Sequence, residues 1–155
     1  MQNSTSDMTL IEAMPLLARN GGDWYGTYIH LDDAGQVLDR HKSHLIPRFE
    51  ADSDRYTQTN IYTWNDGRQV EYEFTGVYRN GKVVYDTERI YGEAWETDDK
   101  TIILKFSYKD DPEKYIYEYI HLSDDGQHRT RVWHWFNGQG EVYKHTLIKE
   151  SRTPD

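Results

Sequence analysis

Residues 24–38 read WYGTYIHLDDAGQVL: a run of aromatic and β-branched residues, an acidic turn with one glycine, and the start of a second run. This order is typical of two strands joined in a β-hairpin. A near copy follows later in the chain, since YIHLDDAGQ spans Tyr28–Gln36 and YIHLSDDGQ spans Tyr119–Gln127. The simplest interpretation is one kind of hairpin built twice, and a remote internal duplication stays open as an alternative.

The two copies also raise the question of a paired histidine site, at His30 and His121. Two imidazoles need a third ligand at fixed geometry to hold a metal ion. No His-x-His or His-x-x-x-His group supplies one. We therefore predict no metal centre.

Strand signals continue through the rest of the chain, and they are separated by turns rich in Gly, Asp and Asn, such as NDGR and NGK. The connections are short, which favours an antiparallel meander of about nine strands. The predicted strand runs, with the two-residue run Trp95–Glu96 counted together with Lys82–Glu93, are Trp24–Leu31, Val37–Pro47, Asp54–Trp64, Gln69–Arg79, Lys82–Glu93, Thr101–Tyr108, Lys114–Leu122, His128–Phe136 and Glu141–Glu150.

The segment before the first strand predicts one short amphipathic helix. Met8, Ile11, Met14 and Leu17 recur at helical spacing. Pro15 should kink or split this helix, because proline lacks the backbone N–H that a helix interior needs.

A single open sheet of nine strands would expose two unpaired edges, and closure into an up-and-down antiparallel β-barrel removes them. We therefore predict an all-β barrel with one short N-terminal helix, in which residues 8–152 form a single domain and residues 1–7 a disordered tail. A two-sheet sandwich is the second choice, because the connections include no long crossover. A barrel of this size can hold one small ligand.

Composition excludes several classes of function. The 155 residues carry a net charge of −9, which argues against nucleic acid or an anionic membrane as a partner. The chain contains no cysteine, so disulfides, thiolate nucleophiles and thiolate metal sites are absent. No run approaches the length of a transmembrane helix, and we expect a cytoplasmic protein without membrane insertion. The chain has 13 Tyr and 5 Trp but only 4 Phe, and aromatic side chains with a polar end favour an interior that is partly hydrated.

The segment GGDWYGTY at Gly21–Tyr28 resembles the Gly-x-Trp signature of the lipocalins and the wider calycin superfamily. In that family the Trp, here Trp24, closes the barrel floor, and a basic residue near the end of the last strand packs across its ring. Arg152 in LIKESR matches this position. The absence of a disulfide and of a signal peptide, both common in secreted lipocalins, favours an intracellular bacterial member.

The start and end of the chain, NGGDWYGTYIHLDDAGQVL and RVWHWFNGQGEVYKHTLIKESR, resemble an uncharacterised lipocalin-like family of photosynthetic organisms and other bacteria. The resemblance implies a calycin barrel and gives no established activity. Relatives in the superfamily include ligand carriers, fatty-acid-binding proteins, bilin lyases, and a few isomerases and cyclases.

Alternation along the strands predicts a lumen lined by polar and aromatic side chains. The alternative is a solid core with a tyrosine-rich exterior. The predicted ligand-binding residues are Tyr28, His30, Tyr62, Trp64, Tyr72, Tyr117, Tyr119, Arg131, Trp133 and Trp135.

Arg131 is the candidate for holding a ligand carboxylate by two parallel hydrogen bonds. RTRVW resembles the Arg-x-Tyr grip of the fatty-acid-binding proteins, with Trp133 in place of the Tyr. The alternative is that Arg131 stands outside the barrel and pairs with an acid such as Glu118.

These patterns predict a binding protein for a small apolar or aromatic molecule, which carries a carboxylate if Arg131 is its partner, with no cofactor. An isomerase, cyclase or lyase using the same cavity is the alternative, with His134, His30 or Glu118 as a general base. A third class, an interaction module that forms a homodimer through tyrosine-rich strands, also stays open. A serine hydrolase is disfavoured, because the chain has no Gly-x-Ser-x-Gly elbow.

Overall fold

The computed structural model describes residues 8–154, so the tail predicted for residues 1–7 lies outside the described part of the chain. The predicted N-terminal helix is two one-turn helices, α1 (Leu10–Ala13) and α2 (Pro15–Ala18). Thr9 caps α1 in a reciprocal pair with Glu12. Pro15 begins α2 at a position where its missing N–H costs nothing, so the proline splits the helix.

Within residues 8–154, ten antiparallel strands in up-and-down order form one closed barrel, in which β1 pairs with both β2 and β10. The barrel prediction is confirmed, and the sandwich alternative is wrong. The strands are β1 (Trp24–Asp32), β2 (Val37–Phe49), β3 (Arg55–Thr63), β4 (Gln69–Arg79), β5 (Lys82–Asp86), β6 (Ile90–Glu96), β7 (Thr101–Tyr108), β8 (Tyr115–Leu122), β9 (His128–Phe136) and β10 (Val142–Ser151).

The extra strand comes from the segment predicted as one run over Lys82–Glu93. The chain turns at Thr87, whose N–H donates to the carbonyl of Ile90 (2.9 Å) and whose Oγ1 accepts from the N–H of Ile90 (3.0 Å). The turn residues Thr-Glu-Arg include no Gly, Pro, Asn or Asp, so the sequence carried no turn signal there.

The two copies of the YIHL segment are hairpins at opposite ends of the barrel. The first joins β1 to β2 and the second joins β8 to β9. Each turn places its glycine at positive φ, 85° for Gly35 and 71° for Gly126. His30 lines the lumen, whereas His121 is exposed, so the copies share a turn and do not form a joint site.

One end of the barrel is closed. Trp24 is completely buried there, and the guanidinium of Arg152 lies 3.8 Å from the centre of its ring. Arg152 also donates to the carbonyls of Arg19, Gly21 and Gly126 over 2.6–3.1 Å. This is the arrangement that the lipocalin resemblance implies. α2 packs at the same end, where the N–H of Leu17 donates to Glu96 (2.8 Å).

Gly26 allows β1 and β10 to approach closely just above the closed end. A Cβ at this position would lie 2.3 Å from the carbonyl oxygen of Lys149 and 2.6 Å from Cγ of Glu150. Any side chain here would therefore force the backbones of β1 and β10 apart and shift the side chain of Glu150.

No helix within residues 8–154 is both long enough and apolar enough to cross a bilayer.

Candidate functional site

The interior of the barrel is hollow above its closed end. A cavity of about 560 Å³ extends from the buried charges near Trp24 to the opposite, open end. Each of the ten strands contributes lining side chains. The exposed residues Glu88 and Arg89 also line the cavity, so it reaches solvent beside the β5–β6 loop.

The floor of the cavity is a buried ion cluster. Arg129 donates to Glu150 (2.6 Å), and Arg131 donates to Glu150 (3.1 Å) and to Glu118 (2.5 Å). Arg131 also donates to the hydroxyl of Tyr28. Burial alone would raise the pKa of Glu150, but the two guanidinium groups outweigh it and hold the pKa at about 2. Two positive and two negative charges make the floor neutral.

The cluster also decides what Arg131 can do. Its Nε, Nη1 and Nη2 atoms all donate to protein oxygens already. The structure combines both sequence-based alternatives, because Arg131 faces the lumen and nevertheless pairs with Glu118. A ligand carboxylate would have to compete with the buried carboxylates of Glu118 and Glu150 for this guanidinium.

The middle of the cavity has aromatic walls. The ring of Tyr28 stacks on His41 at 5.0 Å and meets the edges of Tyr62 and Trp133 at 5.2 and 5.8 Å. Burial raises the pKa of Tyr28 and raises that of Tyr62 strongly, so both hydroxyls stay protonated. Phe106 adds a further edge contact to Trp133, at 5.5 Å.

Two cations lie where the cavity opens. Arg89 stacks 3.6 Å from the ring centre of Tyr72, and the ammonium of Lys144 lies 4.2 Å from that of Trp135. Neither side chain forms an ion pair with any residue between 8 and 154. Burial lowers the pKa of Lys144, with Asp39 opposing the shift. The open end therefore holds two cations outside any ion pair among residues 8–154, unlike the paired arginines of the floor.

His30, Asp39 and His41 form a polar group on the same wall, with one ligand-type atom of each within 4.8 Å of the others. Nδ1 of His41 lies 2.7 Å from Oδ2 of Asp39, and Nδ1 of His30 lies 2.7 Å from Oγ1 of Thr146. Burial, with a smaller contribution from Lys144, lowers the pKa of His30 to about 4. The imidazole of His30 is therefore neutral at neutral pH.

Most of the predicted ligand-binding residues meet in this cavity. Strand alternation placed the lumen face correctly in β1 and in β9. The predicted residues that line the cavity are Tyr28, His30, Tyr62, Trp64, Tyr72, Arg131, Trp133 and Trp135.

The placement of Tyr117 and Tyr119 in the lumen is wrong. Both lie on the outer face of β8, where Tyr119 is 42% exposed and Tyr117 packs against Phe136. Glu118 and Ile120 face inward from this strand instead. Tyrosine is tolerated on either face, whereas a buried glutamate needs a cation, and Arg131 on the neighbouring strand supplies it.

The three candidate general bases have different surroundings. His134 lies on the outer face, with its ring 5.1 Å from that of His145, so it does not reach the cavity. Glu118 faces the cavity, but its carboxylate is ion-paired with Arg131. His30 is the candidate that lines the cavity without an ion pair among the described residues.

Sequence reasoning missed Asp39, His41, Arg89 and Lys144. A signal for the first two was present, because Asp-x-His puts both side chains on one face of β2, opposite His30 across the hairpin. Arg89 lies in the unrecognised β5–β6 loop. Lys144 comes directly after a register shift in the pairing of β10 with β9, so alternation along β10 does not predict which way its side chain points.

Solved structures with this fold come from several sources. An S-type phycobiliprotein lyase from Guillardia theta matches with a TM-score of 0.70 and 16% identity, over 100% of this chain and 99% of its own. A protein from M. tuberculosis matches with a TM-score of 0.64 and 12% identity, over 91% and 97%. At these identities the likeness shows the fold alone.

A protein of the DUF3598 family from Nostoc punctiforme, described as having unknown function, matches with a TM-score of 0.66 and 18% identity. The match covers 88% of this chain but 49% of that protein, so the chain spans about half of its length. No curated protein matches the sequence at a significant level. The family model described as "Domain of unknown function (DUF3598), N-terminal" matches residues 13–155, and the chain therefore belongs to the DUF3598 family, with a lipocalin-like barrel.

Proposed function

We propose that the protein binds one small, largely aromatic or apolar molecule in the barrel cavity, with an acidic group of that molecule at the open end. The observation that carries this proposal is the hollow, aromatic-walled interior of about 560 Å³. This volume lies within the range of about 300–1,000 Å³ that holds drug-sized ligands.

The walls favour a flat aromatic body. Tyr28, Tyr62, Phe106 and Trp133 present ring faces and edges around the middle of the cavity. Removing about 40 Å² of ring surface from water contributes about 1 kcal/mol, so four such contacts contribute about 4 kcal/mol before the cost of association.

The charges orient the ligand. The floor is neutral, and each guanidinium nitrogen of Arg131 already donates to a protein oxygen, so the deep end favours an uncharged part of the molecule. Arg89 and Lys144 are available at the opening. A carboxylate or another acidic group therefore gains most when it stays near Arg89 while the apolar body points inward.

A second candidate function is a cofactor-free isomerase, cyclase or lyase that uses the same cavity. One observation favours it, because His41, oriented by Asp39, lies beside the hydroxyl-bearing rings of Tyr28 and Tyr62. A base and a proton donor would then face one ligand. Catalysis requires turnover of a specific compound that His41→Gln abolishes and that His134→Gln leaves unchanged.

The test of binding uses two matched fluorescent probes, 1-pyrenebutyric acid and 1-pyrenebutanol, which differ only in the acidic group. Three of the five tryptophans, Trp64, Trp133 and Trp135, line the cavity, so occupancy should quench tryptophan fluorescence. We expect saturable 1:1 binding of both probes, with the acid bound more tightly. The proposal would be contradicted if neither probe bound and native mass spectrometry showed no co-purified molecule.

A further inference from the structure

Three metal-ligating side chains converge on the lumen wall near the open end. In the β1–β2 hairpin, His30 pairs with Asp39, and Tyr28 pairs with His41. Cross-strand partners share a face, and residues two apart on a strand also share it, so all three side chains point the same way. Their ligand atoms lie within 4.8 Å of one another.

The donor set selects a class of ion. Two imidazole nitrogens and one carboxylate oxygen suit borderline first-row transition ions such as Zn²⁺, Co²⁺ and Ni²⁺. Ca²⁺ and Mg²⁺ need ligand sets made mainly of oxygen, which this group does not supply.

Outer-shell contacts hold two of the three ligands in place. Oγ1 of Thr146 accepts from Nε1 of Trp135 (2.9 Å) and has a second lone pair for the Nδ1–H of His30, at 2.7 Å. Nε2 of His30 is then left for an ion. Nε1 of Trp64 donates to Oδ1 of Asp39 (2.9 Å), which leaves Oδ2 for the same purpose. Such contacts are typical of bound metal centres.

We propose that His30, Asp39 and His41 bind one divalent transition ion on the cavity wall, with a coordination position open to the lumen. Nδ1 of His41 and Oδ2 of Asp39 lie 2.7 Å apart, whereas two ligand atoms of a tetrahedral zinc ion lie about 3.4 Å apart. Small side-chain rotations would therefore replace this hydrogen bond with two bonds to the ion. Three protein ligands leave a fourth position for water or a donor atom of a guest molecule.

The experiment uses the full chain without a polyhistidine tag, treated with a chelator and dialysed. Zn²⁺ is titrated by calorimetry, and Co²⁺ is titrated by visible absorption, which reports its coordination. We expect one ion per chain and a Co²⁺ spectrum of low coordination number. His30→Gln and His41→Gln should each weaken binding by about 100-fold or more, beyond the roughly 10- to 100-fold loss expected for the outer-shell change Thr146→Val.

The outer-face pair His134 and His145 provides the matched control, because their rings lie 5.1 Å apart, close to the 5.5 Å between His30 and His41. The double change His134→Gln with His145→Gln should leave the affinity unchanged. Lys144→Met should tighten binding, because it removes a cation from the same wall.

Thermal melting followed by circular dichroism shows that each variant is folded. The proposal is overturned if neither ion binds the folded wild type, or if binding survives His30→Gln and His41→Gln, or if the His134 and His145 control abolishes it. The assay contains no organic probe, so its outcome is separate from that of the ligand-binding proposal.

Discussion

The two ends of the barrel hold their charges in different ways. At the closed end, Arg129, Arg131, Glu118 and Glu150 are buried and mutually paired, at 2–5% exposure. At the open end, Arg89 stacks on the ring of Tyr72 and forms no ion pair with any residue between 8 and 154. Paired buried charges fix a structure, whereas an unpaired cation at an opening is available to a guest. The comparison assigns stability to one end and recognition to the other.

The strongest way to break this comparison is to remove one charge from the floor. Glu150→Gln removes the negative charge that Arg129 and Arg131 share, which should lower the free energy of unfolding by about 3–5 kcal/mol. Urea denaturation measures the change. The control Glu73→Gln breaks the exposed pair with Arg48 (2.9 Å) and should cost less than about 1 kcal/mol. Equal losses in the two variants would contradict the assignment.

Acid should weaken the closed end in the same way. The pKa of Glu150 is about 2 in the folded barrel and 4.5 as its ordinary value, so its stabilisation is complete above pH 4.5. The unfolded chain takes up the proton first, and about 3 kcal/mol of stability is therefore lost as the pH falls from about 4.5 to about 2. Urea denaturation across this range should show a flatter profile for Glu150→Gln. Identical profiles would exclude Glu150 as the cause.

Two arginine–tryptophan stacks, one at each end, sharpen the contrast. Arg152 lies 3.8 Å from the ring of Trp24 and donates to three carbonyls. Arg68 lies 4.2 Å from the ring of Trp64, and its guanidinium donates to no carbonyl among residues 8–154. Arg152→Met should cost about 2 kcal/mol of unfolding free energy, and Arg68→Met should cost less than about 1 kcal/mol. Thermal and urea unfolding check both values. A larger effect at Arg68 would reverse the proposed roles of the two ends.

The smallest expected effect concerns recognition at the open end. Arg89→Gln should weaken binding of 1-pyrenebutyric acid by about tenfold, or about 1.4 kcal/mol, because it removes the charge opposite the carboxylate. Binding of 1-pyrenebutanol should change little. Arg68→Gln is the control, because Arg68 stacks on Trp64 but does not line the cavity. Equal weakening of the binding of both probes would show that Arg89 does not recognise the acidic group.

Local signals predicted most of the fold, because alternation and Gly-containing turns are properties of a few neighbouring residues. They failed at Thr87–Arg89, where hydrogen bonds to Ile90 make the turn without glycine, proline or an Asx residue. The lipocalin resemblance at Trp24 predicted which end of the barrel is closed.

The site was predictable only where one strand determined its own face. In β9, Trp133 and Trp135 face the lumen as alternation predicted. In β8 the inward face depends on Glu118 meeting Arg131 from β9, a contact between strands that no single segment encodes. Arg89 is exposed on a loop, where no periodic pattern marks a functional side chain.

The most direct test of a hollow, ligand-binding barrel compares two Leu→Trp variants. Leu104 lines the cavity, whereas Leu147 is 42% exposed on the outer face. The affinity of each folded variant for 1-pyrenebutanol is measured by fluorescence titration. Leu104→Trp should weaken binding by about 100-fold because the indole fills the space of the guest, and Leu147→Trp should bind like the wild type. Equal binding by the two variants would show that the probe does not occupy the cavity.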